Sequence, residues 1–275
     1  EIRIPMKKIT LLALVLLTIW ACKNDPKQEN VEEVKVEDTT PKDGGKGAEI
    51  IKRVIDSAGG HRYETATIEF KFRDAAYKSV RNCGMFELSR SRTDSTGTPT
   101  ESIITNMGFI YKEKGEQKTL PDSMANKYKN SVNSVHYFVQ LPFGLDDPAV
   151  RKELIAEDSI QGKAYDEIQV NFKKQGGGED YHDTYIYWVN KNTYKVDYLA
   201  YSYETNGGGM RFREAINPRE VEGIRFVDYK NYTPKKGSSP KLNELDELFE
   251  KGELELYSTI ENKDIKVEVL DRKCG

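Results

Sequence analysis

The segment at residues 185–203, YIYWVNKNTYKVDYLAYSY, constrains the fold most strongly, because seven aromatic residues surround a polar centre. Aromatic and β-branched residues favour strands, and the Asn-Lys-Asn sequence at 190–192 is typical of a turn. The segment therefore predicts a β-hairpin. Successive side chains of a strand point to opposite faces. The first strand would carry Tyr185, Tyr187 and Val189 on one face, and Ile186 and Trp188 on the other.

The second strand of this hairpin divides in the same way. One face would carry Tyr194, Val196, Tyr198 and Ala200, and the other Lys195, Asp197, Leu199, Tyr201 and Tyr203. Because both faces are largely apolar, we expect the hairpin to be covered on both sides. Two interpretations are open: the rings fill an ordinary sheet, or one set lines a cavity for an apolar molecule such as an acyl chain. The candidate cavity residues are Tyr187, Trp188, Tyr198, Tyr201 and Phe212.

The rest of the chain predicts an α+β fold. Apolar residues recur with helical spacing at 48–58, 123–141 and 241–251, and a further short helix is expected to begin at Pro148 behind Asp147. Alternating segments separated by turns rich in Gly, Asn and Pro indicate a large antiparallel sheet of about ten strands. A sheet of that size tends to curl. The predicted strands lie at 67–72, 85–92, 102–112, 165–172, 181–189, 194–203, 210–215, 223–232, 254–256 and 265–269.

The N-terminus has the pattern of a bacterial export signal. Lys7 and Lys8 precede an apolar run, LLALVLLTI (11–19), that is shorter than the roughly 20 residues needed to cross a bilayer. The sequence Ile19-Trp20-Ala21-Cys22 resembles a lipobox, which makes Cys22 the predicted lipidation site; a plain signal peptide is the alternative. We expect a signal peptide at 1–21, including an extension at 1–5 before the start methionine. A lipidated, disordered tether at 22–47 and one domain at 48–275 follow.

Charge and cysteine content limit the partners and the location. A formal net charge of −3 argues against a nucleic-acid partner, which would require a concentrated basic surface. A lipidated Cys22 would anchor the protein by lipid in the cell envelope, at the outer membrane. Outside the cytoplasm, the remaining Cys83 and Cys274 either form a disulfide or stay free thiols. The sequence does not determine an oligomeric state.

Three arginines are candidates for binding an anionic group. Arg211 and Arg213 flank Phe212, so strand alternation places both guanidinium groups on one face, and Arg225 follows on the next strand. The interpretation that the sequence favours is instead pairing with nearby acidic residues. These are Glu214, Glu220, Glu222 and Asp228.

Residues for catalysis or metal binding are few. Glu179, Asp180, His182 and Asp183 crowd one loop, where His182 and Asp183 are candidates for a metal, although a solvated acidic turn fits better. His61 and His136 have no nucleophile motif beside them, and no phosphate- or dinucleotide-binding loop is found. The sequence predicts no cofactor and no catalytic residue. A hydrolase or other envelope enzyme using the His182/Asp183 loop, or Arg211 and Arg213, stays an alternative.

Three segments carry a resemblance to a known family: NSVNSVHYFVQLPFGLDDPAV (130–150), GGGEDYHDTYIYWV (176–189) and DYLAYSYETNGGGMRFREAINPREVEGIRFVDYKNY (197–232). They resemble a family of Bacteroidota envelope lipoproteins described only as a domain of unknown function. The architecture is also similar to that of LolA/LolB-type lipoprotein carriers. That similarity implies a half-open β-barrel with helices packed on its concave side and a cavity for a lipid-like ligand. The chain would then be a membrane-anchored, non-catalytic binding protein; an interaction-only surface lipoprotein is the other possibility.

Overall fold

The alternating segments of the sequence form two antiparallel sheets of seven strands each in the computed structural model. The structure describes residues 45–175, 182–204 and 207–270 together with Arg272 and Cys274, all within one compact unit, Thr40–Gly275. The α+β class and the curled antiparallel architecture are confirmed. Over the described residues the strands number fourteen, where the sequence suggested about ten.

The first sheet has the strand order β14-β1-β2-β3-β4-β5-β6, in which neighbours along the chain pair as hairpins. The C-terminal strand closes one edge by pairing with β1. Its strands are β1 (Ala66–Phe72), β2 (Ala75–Asn82), β3 (Met85–Thr93), β4 (Pro99–Thr105), β5 (Gly108–Glu113), β6 (Glu116–Gln117) and β14 (Lys263–Val269).

The second sheet has the order β13-β12-β11-β10-β9-β8-β7 and contains the aromatic hairpin at its centre. Ile224 and Phe226 of this sheet pack with Ile68 and Phe70 of the first sheet, so one apolar core joins the two. Its strands are β7 (Val150–Ile160), β8 (Lys163–Phe172), β9 (Thr184–Asn190), β10 (Val196–Tyr203), β11 (Gly209–Val221), β12 (Ile224–Pro234) and β13 (Leu254–Ile260).

Helix α1 (Lys46–Ala58) covers part of the second sheet. Its apolar face, which includes Ile51 and Val54, is buried, and Gly59 ends it by donating its backbone N–H to the Ile55 carbonyl. The helix packs against β7. Gly47 allows this close approach, because a Cβ there would lie 3.0 Å from the backbone nitrogen of Leu154.

Helix α2 (Asp122–Val139) lies between the two sheets, where its apolar residues, which recur at helical spacing, can be buried. It packs against β3, β4 and β5 of the first sheet, and Val132 is buried there against Leu88 and Ile104. Near its C-terminal end, Tyr137 and Phe138 pack against the core of the second sheet instead. The helix therefore has apolar contacts with both sheets.

A third helix, α3 (Leu245–Glu250), follows a 3-10 turn at Leu242–Glu244 and occupies the predicted helical segment at 241–251. Leu245 and Phe249 pack with Trp188 and Phe212 on one side of the second sheet. We call this side the outer face and the side that packs against α1 and α2 the inner face. Two helices thus cover the inner face, and the third covers the outer face.

The prediction of a short helix beginning at Pro148 was wrong. Strand β7 begins at Val150, and its residues pair with β8 at the edge of the second sheet. Glu, Lys, Leu and Ala are good helix formers, but the strand pairing overrides that preference. The segment at 102–112, predicted as one strand, forms a hairpin of the two strands β4 and β5. Strand β2 was not predicted at all.

The aromatic hairpin forms as predicted and is buried on both faces, but the face assignment was wrong for Tyr194 and Val196. The register between β9 and β10 shifts between Val196 and Tyr198, which is a β-bulge. Val196 therefore packs on the inner face with Leu199, whereas Tyr198 packs on the outer face. Simple alternation had placed Val196 with Tyr198, because it assumes an unbroken pleat.

Cys83 and Cys274 form a disulfide, which settles the alternative that the sequence left open. Their Cα atoms lie 5.2 Å apart, and the bond joins the β2–β3 turn to the C-terminal tail over a sequence separation of 191 residues. Hydrogen bonds from the Leu270 N–H and the Thr65 hydroxyl hold the same tail beside β1.

Candidate functional site

A cleft of about 700 Å³ opens between helix α2 and the inner face of the second sheet. Part of its lining is apolar or aromatic, and the rest is polar or charged. The end of β1 supplies a further wall. The lining residues are Phe72, Arg73, Lys127, Asn130, Ser131, Ser134, Val135, Phe138, Val139, Asp183, Tyr185, Tyr201, Tyr203, Arg211, Arg213, Asn231, Tyr257, Ser258, Ile260 and Asn262.

Arg213 is the most deeply buried charge of this cleft, with 7% of its surface exposed. Its guanidinium carbon lies 3.9 Å from the centroid of the Phe138 ring, 5.0 Å from that of Tyr201 and 5.7 Å from that of Tyr229. Nη2 donates a hydrogen bond of 2.9 Å to the Tyr201 hydroxyl. Three aromatic rings therefore surround one cation on the inner face.

Arg213 has no carboxylate partner in the part of the chain that the structure describes. Among the described residues, no Asp or Glu oxygen lies within 4 Å of its guanidinium nitrogens, and its buried Nε has no hydrogen-bond acceptor there. The predicted pairing with nearby acids was therefore wrong for this arginine. Asp228 pairs instead with Arg219 at 3.0 Å, and Glu214 pairs with Lys230 at 3.5 Å.

Arg211 lies on the same face as Arg213, as strand alternation predicted, and is half-buried. Its guanidinium carbon lies 4.5 Å from the ring centroid of Tyr257 and 5.3 Å from that of Tyr203. Nη1 donates to the Met210 carbonyl and the Thr233 hydroxyl. Over the described ranges, Arg211 also makes no ion pair, so the cleft holds two arginines that aromatic rings surround.

Polar atoms without partners gather around the same cleft. Asn231 is the direct cross-strand neighbour of Arg213, and its Oδ1 is buried without a hydrogen-bond donor. The Oδ1 atom of Asn262, another lining residue, is buried in the same way. A buried polar atom that lacks a partner costs free energy, so these atoms favour a site that takes up a polar group or water.

Arg225, the third predicted anion-binding residue, lies elsewhere. It lines a different cleft of about 590 Å³ with Lys195 and Glu220. Its Nη2 lies 3.7 Å from an Asp197 oxygen. The fold therefore brings Arg211 and Arg213 together and leaves Arg225 apart.

The five aromatic residues that were predicted to line a cavity lie in three different environments. Tyr201 lines the cleft. Tyr187 lies on the inner face but is fully buried beneath it, hydrogen-bonded through its hydroxyl to Tyr137, and burial raises the pKa of both phenols. Trp188, Tyr198 and Phe212 pack on the outer face under α3, where they belong to the core.

Several lining residues were not predicted. Phe138 and Lys127 lie on α2, whose sequence shows only the period of an amphipathic helix. Tyr257 lies on β13, two strands away from Arg211. No local pattern marks these residues, because they reach the cleft only through the packing of α2 and β13.

The outer side of the second sheet carries a separate acidic cluster of Asp158, Glu167 and Asp246, whose oxygens lie within 4.8 Å of one another. Glu167 and Asp246 are buried. Burial, reinforced by Asp158, raises the pKa of Glu167 to about 7 and also raises that of Asp246. Carboxylates at this spacing either share protons or hold a cation.

The predicted metal candidates His182 and Asp183 are not part of that grouping in the residues that the structure describes, and Glu179 and Asp180 lie outside them. Asp183 lines the cleft instead. His136 is buried in α2 between the Ser89 carbonyl and the Gln140 side chain. Burial lowers the pKa of His136 to about 4, which keeps the imidazole neutral at physiological pH.

The predicted lipidation site, Cys22, lies outside the described residues. Among the helices that the structure describes, none is long and apolar enough to span a bilayer. The lipid anchor and the envelope location therefore stay predictions.

The sequence over residues 51–262 matches the family of unknown function DUF6503, and the chain belongs to this family. That agrees with the predicted resemblance to a domain of unknown function; an origin in Bacteroidota stays a prediction. No curated protein matches the sequence.

Solved structures show a distant likeness in chain arrangement. A LolA superfamily protein from Nitrosomonas europaea has 12% identity and a TM-score of 0.45, over 82% of this chain and 96% of that one. An outer membrane lipoprotein-sorting protein domain from Vibrio parahaemolyticus has 9% identity and a TM-score of 0.45, over 81% and 92%. The lipoprotein LppX of Mycobacterium tuberculosis has 10% identity and a TM-score of 0.26, over 58% and 88%. At these identities and TM-scores, the likeness says nothing about a ligand.

Proposed function

We propose that this protein is a membrane-anchored envelope lipoprotein that holds an apolar or lipid-like molecule in the cleft between α2 and the second sheet, without catalysing a reaction. One observation carries the proposal. The cleft has about 700 Å³ of space, within the roughly 300–1,000 Å³ typical of small-molecule sites.

The lining supports an amphiphilic ligand. Phe72, Val135, Phe138 and Tyr185 offer apolar surface, while hydroxyl, amide and guanidinium groups lie between them. An apolar chain gains free energy in proportion to the surface that it removes from water, at about 25 cal/mol per Å². The polar groups would fix the orientation of such a chain.

The first test is native mass spectrometry of the full chain after gentle extraction. We expect an adduct of a few hundred daltons on the wild-type protein. Ser134→Trp would fill the cleft from α2 and remove the adduct, because Ser134 lines it. Asn133→Trp is the matched control, since Asn133 is the neighbouring, exposed residue of the same helix. An adduct that survives Ser134→Trp, or a wild-type protein that takes up no lipid even when lipids are added, would contradict the proposal.

The membrane anchor has its own test. Cys22→Ser removes the predicted lipidation site and is expected to release the protein from the membrane fraction, because one cysteine carries the anchor. Retention of the Cys22→Ser protein in that fraction would show that the lipobox interpretation is wrong. The proposed cleft ligand does not depend on this outcome.

Two alternative functions are an enzyme and a protein that only binds another protein. An enzyme would use the His182/Asp183 loop or the Arg211/Arg213 pair, and replacing both His182 and Arg211 by alanine would then abolish a measurable turnover. A protein that only binds another protein would leave the cleft without a small ligand and would give no adduct. The described cleft favours the binding protein over both.

A further inference from the structure

We infer that the cleft ligand is an anionic amphiphile, and that its oxyanion head group, a carboxylate or a phosphate monoester, binds at Arg213 with Arg211 beside it. This inference rests on the proposed function and adds the chemical class of the ligand. It depends on the charge distribution of the cleft rather than on its volume.

The first argument is the missing counter-ion of Arg213. Only 7% of the Arg213 surface is exposed, so its guanidinium loses most of its hydration, and proteins usually offset that loss with a carboxylate. The described residues offer Arg213 only the Tyr201 hydroxyl and three aromatic rings. Rings stabilise a cation but do not neutralise it. A bound oxyanion would supply the missing charge, and arginine binds carboxylates and phosphates with two parallel hydrogen bonds.

The second argument is the sign of the charge around the cleft. The described lining contains four basic residues and a single acidic one, Asp183. The basic residues are Arg73, Lys127, Arg211 and Arg213. The whole chain, by contrast, carries a formal charge of −3. A basic cleft on an acidic protein attracts anions to this position.

The third argument is the arrangement of apolar surface next to the charge. Phe138 contacts both the guanidinium of Arg213 and the ring of Tyr201, with ring centroids 5.3 Å apart in the second case. Val135 lies one turn before Phe138 on α2, Val139 follows one turn after Val135, and both also line the cleft. A ligand with its head group at Arg213 can therefore lay an apolar tail along α2.

The test is a displacement titration on the full chain with the neutral dye N-phenyl-1-naphthylamine. Palmitate, hexadecyl phosphate and hexadecanol share one tail and differ in the head group, and all are used below their aggregation limits. We expect wild-type protein to bind palmitate or hexadecyl phosphate about 10-fold or more tightly than hexadecanol, because a charge-assisted pair forms. The better of the two anions identifies the head group.

Variants assign the effect to Arg213. Arg213→Met is expected to remove the preference for the anionic tails over hexadecanol. Arg225→Met is the matched control, since it removes an arginine of the same sheet from a different cleft and should keep the preference. Arg213→Lys keeps the charge and should retain part of the preference. The head-group comparison on wild-type protein stands even if Arg213→Met fails to fold.

Four other outcomes of the titration would each contradict a different part of the proposal. Equal binding of palmitate, hexadecyl phosphate and hexadecanol by wild-type protein would overturn this inference and leave the proposed function intact. A preference that persists in folded Arg213→Met would overturn the assignment to Arg213. Displacement of the dye by acetate or inorganic phosphate alone would show a site for free anions and overturn the amphiphile. Failure of the dye and of every amphiphile to bind would overturn the proposed function itself.

Discussion

The guanidinium carbon of Arg213 lies 3.9 Å from the centre of the Phe138 ring, and this contact joins strand β11 to helix α2. Phe138 also packs against Tyr185 and Tyr201 of the central hairpin. One side chain of the helix therefore covers the buried cation and forms a wall of the cleft at the same time. Phe138 therefore links the stability of the fold to the proposed ligand site.

Phe138→Ala is expected to lower the free energy of unfolding by roughly 1–3 kcal/mol, because Phe138 is a partly buried ring that also faces a cation. It should also weaken binding of a neutral apolar dye, since it removes cleft wall. Phe249→Ala is the matched control: Phe249 is equally half-buried but packs on the outer face against Phe212. Urea unfolding and dye titration measure the two effects. Equal loss of dye binding in both variants would contradict the assignment of the cleft to the inner face.

Reduction of the Cys83–Cys274 bond is expected to lower the free energy of unfolding by about 2–5 kcal/mol, because the bond restricts a long loop of the unfolded chain. Urea unfolding with and without a reductant measures this difference. The double variant Cys83→Ser/Cys274→Ser should match the reduced protein and be insensitive to the reductant. An unfolding midpoint that does not move on reduction would show that the disulfide contributes nothing to stability.

Glu167 is expected to make stability fall as the pH rises. Its pKa is raised from 4.5 to about 7 in the folded protein, chiefly by burial. The folded state therefore holds a proton that the unfolded state releases, and stability declines between about pH 4.5 and pH 7. Each unit of such a shift corresponds to about 1.4 kcal/mol.

Glu167→Gln isolates this effect, because the amide does not titrate. The variant should gain roughly 1–3 kcal/mol relative to wild type between pH 5 and pH 8, as urea unfolding at several pH values would show. Glu153→Gln is a suitable control, since Glu153 lies on the neighbouring edge strand outside the acidic cluster. A difference between wild type and Glu167→Gln that stays constant with pH would rule out a shifted titration.

The local elements of this protein follow from its sequence. The helices at 46–58 and 122–139 show the period of an amphipathic helix, and the hairpin at 185–203 shows strand-forming residues around a turn. Alternation alone places Arg211 and Arg213 on one face. The DUF6503 match agrees with the resemblance seen in the same segments.

The candidate site could not be predicted to the same degree. The bulge before Tyr198 moves Val196 to the other face, and the outer position of α3 turns Trp188, Tyr198 and Phe212 into core residues. The pairing of β7 with β8 overrides the helical preference of its residues. Each of these outcomes depends on contact with a segment that is distant in the sequence, and local sequence patterns do not show such contacts.

The sequence by itself determined the antiparallel α+β class, the two amphipathic helices and the shared face of the two arginines, because side-chain period is a property of neighbouring residues. Only the tertiary structure decided that Phe138 covers Arg213, that carboxylates stay more than 4 Å from it over the described residues, and that Arg225 lies in another cleft. The physical reason is that burial and charge pairing depend on which distant segments meet. The cleft exists because α2 packs between two sheets, and that packing belongs to the whole fold.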